Sequence, residues 1–201
     1  MTNLVARDAA SRAEQGVDLQ TLAVRMRSAV ARGDVLGLLA CADALDNAAA
    51  WGQRDDITGC WGKRAGELVD RRHPPGAGEG VGVIFVDLDG LKALNDRDGH
   101  AAGDACIRRA ALVLKGVARA EDVVAREGGD EFVLYLMGPR GERDVATMTA
   151  RVSAALQGAG VQASVGWAYQ RPAERVWETR ARADRAMYAE RARHHARGYE
   201  R

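Results

Sequence analysis

Arg126-Glu127-Gly128-Gly129-Asp130-Glu131-Phe132 is the stretch that decides how this chain folds. Two adjacent glycines are followed by two adjacent acids and an aromatic. Apolar runs flank them, Val123-Val124-Ala125 before and Phe132-Val133-Leu134-Tyr135-Leu136 after. Apolar runs around a Gly-Gly pair predict a β-hairpin with the glycines at its tip. Lacking Cβ, Gly128 and Gly129 can turn with φ > 0 and let a ligand approach the backbone. Asp130 and Glu131 then stand at the mouth of the second strand. Side chains alternate along a strand, so the two carboxylates are expected on opposite faces. On its own the heptapeptide also reads as a polar turn with solvated acids.

Upstream, Val81 to Val86 is a short apolar, β-branched run that predicts a buried strand ending on Asp87-Leu88-Asp89-Gly90. If this strand neighbours the hairpin, Asp87 and Asp130 meet at one sheet edge. Mg²⁺ is a hard cation that takes one or two carboxylates plus substrate phosphates. Paired acids on adjacent strands therefore suit metal-dependent phosphoryl or nucleotidyl transfer. The plainer alternative is an acid at each strand end facing water.

The remaining elements follow from periodicity and breakers. Asp18 is a candidate N-cap, followed by Leu19, Leu22, Met26 and Ala29 at helical spacing. Arg32-Gly33 stops that helix, and Asp34 can cap a second carrying Val35, Leu38, Leu39, Ala42, Leu45 and Ala49. Residues 1–16 read as frayed, and 54–60 as a turn followed by a helix at about 61–72. Leu91–Asp98 is helical or irregular, and Asp104–Arg119 is a helix. A break at Gly138-Pro139-Arg140-Gly141 precedes a helix at about 142–157, a strand around Val161–Tyr169 and a last helix over about Ala173–Arg193. The order β-α-ββ-α-β-α predicts an α+β, palm-like fold: a mostly antiparallel sheet with helices on its face. The division is a helical segment over 1–52 and a main domain over 53–201.

Composition limits the function classes. With 201 residues and 47% apolar content the chain can bury a core, and a net charge of +1 argues against a broad nucleic-acid-binding surface. No run of about 18 apolar residues is present, so no membrane span is expected, nor does the N-terminus read as a secretory signal. Cys41, Cys60 and Cys106 lack paired spacing and read as reduced cytoplasmic thiols.

The heptapeptide resembles the signature of GGDEF-domain diguanylate cyclases, which make cyclic di-GMP from two GTP. Further segments are similar to the family in order. They are Asp55-Asp56-Ile57-Thr58-Gly59, Phe85 through Asp96, Gly99-His100-Ala101-Ala102-Gly103-Asp104, Ser164-Val165-Gly166-Trp167-Ala168 and Ala183-Asp184-Arg185-Ala186-Met187-Tyr188. The resemblance spans about 54–195. It implies that Asp87 and Asp130 bind Mg²⁺ (Mn²⁺ as the alternative), with the Leu88 carbonyl helping. It implies that Glu131 acts near the reacting centre, as a metal ligand or in deprotonating the 3′-hydroxyl. Asn95 and Asp104 would bond guanine, since a carboxylate accepts from N1–H and N2–H₂; otherwise Asp104 is a helix N-cap. Gly128 and Gly129 would let the nucleotide lie close. Free amides within Leu88–Lys92, with Lys92 and Arg191, would meet phosphates. One domain would hold one GTP, so a homodimer is required, and residues 18–52 are the candidates to arrange it or to relay a partner's signal. Arg119-Ala120-Glu121-Asp122 stands where the family carries its product-inhibition site.

Two departures stand out. Gly62 occupies the place of an asparagine, and Arg191 and His195 replace a lysine and an arginine that face phosphates. Arg191 keeps the charge, whereas His195 is largely neutral at pH 7. An active cytoplasmic cyclase therefore competes with a catalytically weak module that binds GTP or cyclic di-GMP and regulates a partner. Another nucleotide cyclase or polymerase on the same scaffold is disfavoured by Asp104 and the full hairpin signature.

Overall fold

Gly82–Leu88, which we call β1, is an apolar and largely β-branched run whose seven residues are all buried. A strand buried on both faces is a central strand. In this computed structural model, which describes the backbone of residues 19–38, 41, 54–76, 78 and 80–198, β1 does lie inside the sheet. The other strands are β2 (Val123–Arg126), β3 (Glu131–Leu136) and β4 (Ala163–Tyr169). Their spatial order is β2-β3-β1-β4, and every pairing is antiparallel.

The helices are α1 (Leu19–Ala31), α2 (Ala65–Arg72), α3 (Leu91–Asp98), α4 (His100–Val117), α5 (Glu142–Gly158) and α6 (Val176–Gly198). The chain divides into two compact units, 1–53 and 54–201. In the first unit, Gly33 (φ 63°) follows the end of α1, and Asp34 caps the next turn by accepting from Gly37 N at 2.8 Å. Asp18, residues 1–16 and most of the second expected helix lie outside the described residues. None of the described helices is long and apolar enough to cross a membrane.

The second unit has two apolar layers, because each buried strand faces both ways. Ile84, Val86, Leu88, Phe132 and Leu134 face Ile107, Leu114, Val145, Val152 and Leu156. Val83, Phe85, Val133 and Tyr135 face Ala65, Val69, Ala183 and Met187. Each buried Val, Leu, Ile, Phe or Met side chain among them contributes about 1.5–3 kcal/mol. The α+β sheet with flanking helices is thus the expected one.

The differences are local. The helix expected at about 61–72 starts at Ala65 rather than about 61. Trp61 instead pairs with the sheet: its N–H donates to Val124 O at 3.0 Å, and its O accepts from Arg126 N at 2.7 Å. α4 starts at His100, so Asp104 lies one turn inside it and is not an N-cap; Gly99 holds that position. Neither Gly128 nor Gly129 has a positive φ, so the hairpin loop does not use their left-handed freedom.

Candidate active site

The site is built at the C-terminal end of β1. Asp87 stands opposite Glu131 on β3 and opposite Ser164 on β4. Side chains in register across antiparallel strands share a face. Asp87 and Glu131 therefore lie on the face that α6 covers, with Phe85 and Tyr135. Asp130 sits just before β3, and its carbonyl accepts from Leu88 N at 3.0 Å, which ties the hairpin loop to the end of β1. The sequence expectation that Asp87 and Asp130 meet is refined in one respect. Asp87 is on the central strand, so the acids gather at strand ends rather than at an edge strand.

This placement loads Asp87 electrostatically. Its side chain is 4% exposed. Burial, and then the neighbouring charge of Asp130, pushes its carboxyl up to about 6; Arg191 opposes the shift. Arg191 Nη1 on α6 donates to Asp87 Oδ2 at 2.9 Å, while Oδ1 is buried without a partner. Glu131 is also raised, by burial first and then by Asp130. Among the described residues no three His, Cys, Asp or Glu side chains converge as a ready-made metal cage. Mg²⁺ takes one or two carboxylates and completes its shell with phosphates and water. The orphaned Asp87 Oδ1 beside a second carboxylate fits such an ion.

A second group of residues forms where α3 packs on α4. Asn95 Oδ1 is buried without a partner, and a Cβ on Gly103 would overlap it. Gly103 thus makes the room that Asn95 occupies, next to half-buried Asp104. Sequence reasoning quoted Gly103 within a motif but missed this role. Lys92 is exposed on α3. Of the amides expected to meet phosphates, Leu88 N and Asp89 N are already bonded, to Asp130 O and Gln162 O. Those of Leu91 and Lys92, at the start of α3, have no intrahelical partner.

The hairpin loop is clamped from behind. Arg126 Nη1 donates to Asp55 Oδ1 and Oδ2 at 3.0 and 2.9 Å, and its Nη2 donates to Gly129 O at 2.8 Å. Burial pushes the Asp55 carboxyl up, but hydrogen bonds from Thr58 and Arg126 outweigh it and hold the pKa below its ordinary value. On the other side Arg180 pairs with Glu127, whose Oε1 accepts from Tyr135 Oη at 3.3 Å. A Cβ on Gly129 would meet only open space, so a ligand can lie against the loop there.

The model of the family described as "Diguanylate cyclase, GGDEF domain" matches residues 55–197. The chain belongs to this family. The probable diguanylate cyclase DgcE of Escherichia coli is 54% identical over 54 residues, 27% of this chain and 5% of that protein. The bifunctional diguanylate cyclase/cyclic di-GMP phosphodiesterase MucR of Pseudomonas aeruginosa is 40% identical over 115 residues, 53% of this chain and 17% of that protein. The crystallised GGDEF domain of DgcB from Caulobacter crescentus, in complex with c-di-GMP, matches with a TM-score of 0.64 and 26% identity, over 70% of this chain and 90% of that one. The chain spans less than a fifth of the length of the curated relatives it matches.

Two clefts flank the acids of this GGDEF domain. One of about 740 Å³ is bordered by Asp89, Gly90, Gln162 and His194. The other, about 670 Å³, lies behind the hairpin against Glu127, Tyr135 and Arg180. Neither is lined by Asp87 or Asp130. Beside the first, Ser164 Oγ donates to Asp89 Oδ1 at 2.9 Å, with His194 Nδ1 3.6 Å from Asp89 Oδ2. His195, the other departure on α6, has its side chain outside the described residues. Arg119 is exposed beside a cleft of about 140 Å³ that Lys115 also lines. Asp122 accepts from Arg119 N at 2.9 Å and from Met137 N at 3.0 Å, so it meets Arg119 through the backbone rather than through the guanidinium.

Proposed function

We propose that this chain is a diguanylate cyclase that condenses two GTP into cyclic di-GMP and releases two pyrophosphates. The observation that carries the reading is Asp87 with its orphaned oxygen, in register with Glu131 and beside Asp130, at the mouth of a loop open to a ligand. The 3′-oxygen of one GTP attacks the α-phosphorus of the other. A P–O bond forms, the bond to the pyrophosphate oxygen breaks, and the 3′ proton passes to a carboxylate. Glu131, whose proton affinity burial raises, is that acceptor in this reading. Asp87, Asp130 and the Leu88 carbonyl would hold Mg²⁺ or Mn²⁺, which when bound neutralises phosphate charge and favours loss of the 3′ proton. Asn95 and Asp104 bind guanine, Gly128 and Gly129 admit the nucleotide, and Lys92 and Arg191 meet phosphates.

Each chain holds one GTP in this reading, so the working unit is a homodimer, and GTP supply sets the reaction in the cytoplasm. Arg119 and Asp122 take the product as a brake. Arg119→Ala is expected to relieve inhibition by added cyclic di-GMP in a turnover assay, and unchanged inhibition would remove the brake from the reading. The main test is incubation of the purified protein with GTP and Mg²⁺, followed by chromatography for cyclic di-GMP and an assay for pyrophosphate. Product that disappears in Asp130→Ala supports the reading. A second reading, a catalytically weak module that binds nucleotide and regulates a partner, is favoured by the engagement of Asp87 with Arg191. It prevails if nucleotide binds but no product forms at high protein concentration.

A further inference from the structure

Asp87 already has a cation. Arg191 Nη1 lies 2.9 Å from its Oδ2, and the Arg191 side chain is 35% exposed. The groups acting most strongly on Asp87 are Asp130 from the hairpin loop, Asp89 beyond the strand end, Glu131 from β3 and Arg191 from α6. Three are acids, so Arg191 supplies the positive charge among them. Its place is fixed by packing: α6 crosses β4 so closely at Gly166 that a Cβ there would run into the backbone of Ala183 and Met187.

We propose that Arg191 is a resident counter-cation of Asp87 that opposes a divalent ion there until nucleotide phosphates draw it off. The proposal rests on the reading of Asp87 as a metal ligand and deepens it. Two cations cannot share one carboxylate without repelling each other. The contact is a single Nη1–Oδ2 bond rather than a bidentate fork, and the head of a long, part-exposed side chain can swing. A triphosphate presents several anionic oxygens in the geometry that a guanidinium fork matches, so it outcompetes one carboxylate for Arg191. Metal without nucleotide finds only Oδ1 of Asp87 free, with the Arg191 charge beside it, whereas metal with nucleotide finds both oxygens free and the opposing charge withdrawn. Binding of the two is therefore cooperative, and the coupling is reciprocal.

The test is Mn²⁺ binding, read from the electron paramagnetic resonance signal of the free ion. The protein is titrated at pH 8 with and without 3′-deoxy-GTP, which lacks the attacking oxygen. In the absence of nucleotide, Arg191→Met is expected to bind Mn²⁺ roughly tenfold more tightly than wild type. The gain in Mn²⁺ affinity on adding 3′-deoxy-GTP is expected to be smaller in the variant by a similar factor. Equal Mn²⁺ affinity of the two nucleotide-free proteins, with circular dichroism showing both folded, would overturn the proposal. Arg191→Gln serves the same comparison if the Met variant does not melt cooperatively. Asp87→Asn with nucleotide separates the two levels of the argument. No loss of Mn²⁺ affinity there removes Asp87 from the metal site, and the proposal falls with it. A loss there without an Arg191 effect overturns only the counter-cation.

Discussion

Asp87 is buried where its own charge is opposed. Its carboxyl ionises near 3.8 in the unfolded chain and near 6 in the fold, first through burial and then through Asp130. The fold therefore holds this proton more tightly than the unfolded chain. The stabilisation is complete below the unfolded value and is lost as pH rises through the folded one. Asp87→Asn should stabilise the metal-free protein at pH 8 by roughly 2–3 kcal/mol and have little effect at pH 3.5, as thermal melts at the two pH values would check. A variant with the same pH slope as wild type would contradict it. The residues proposed to bind guanine allow a second prediction. Gly103→Ala pushes Asn95 from its place, so GTP affinity should fall roughly tenfold, the worth of one hydrogen bond, in calorimetric titration. Stability should stay within about 1 kcal/mol, because alanine favours a helix over glycine by about that much.

At the scale of elements, the hairpin loop is held by a residue far away in the chain. Arg126 is 9% exposed and bridges Asp55 to the Gly129 carbonyl. Arg126→Ala leaves Asp55 with Thr58 but without its ion-pair partner, and the loop without its strut, and should cost about 3–5 kcal/mol by denaturant unfolding. A loss under 1 kcal/mol would show the clamp to be dispensable. Gly166→Ala should cost more than about 4 kcal/mol, since backbone rather than a movable side chain blocks the new Cβ. What was legible beforehand follows the same division. The hairpin, the strand ending on Asp87 and the order of elements are written in local patterns of breakers and apolar runs. The partners of Arg126 and Arg191 are not, because they lie 71 and 104 positions away and depend on which strands become neighbours. The roles of Gly103 and Gly166 were hidden for the same reason: a glycine reports that space is needed, not what fills it. Gly128 and Gly129 misled in the opposite sense, since a paired glycine invites a turn with positive φ where the loop needs only an open side.

For the whole molecule, the proposed reading of one nucleotide per chain makes activity a property of two copies. Specific activity should therefore rise with protein concentration until the dimer is saturated, whereas GTP binding per chain should not change, as turnover assays and calorimetry over a dilution series would check. Flat specific activity across the dilutions would mean that the pair does not dissociate in that range or that one chain suffices. The second unit carries its own two apolar layers, so it has the core that independent folding requires. How it would behave on its own depends on Trp61. β2 is an outer strand of the sheet, and a bare outer strand offers unpaired N–H and C=O groups to any other chain. Here the backbone of Trp61 takes up those of Val124 and Arg126. A fragment beginning at residue 54 keeps that cover and should remain dispersed, whereas one beginning at residue 65 uncovers β2 and should self-associate through it. The residues ahead of α2 thus act as a selvedge that keeps the sheet from growing into a neighbour.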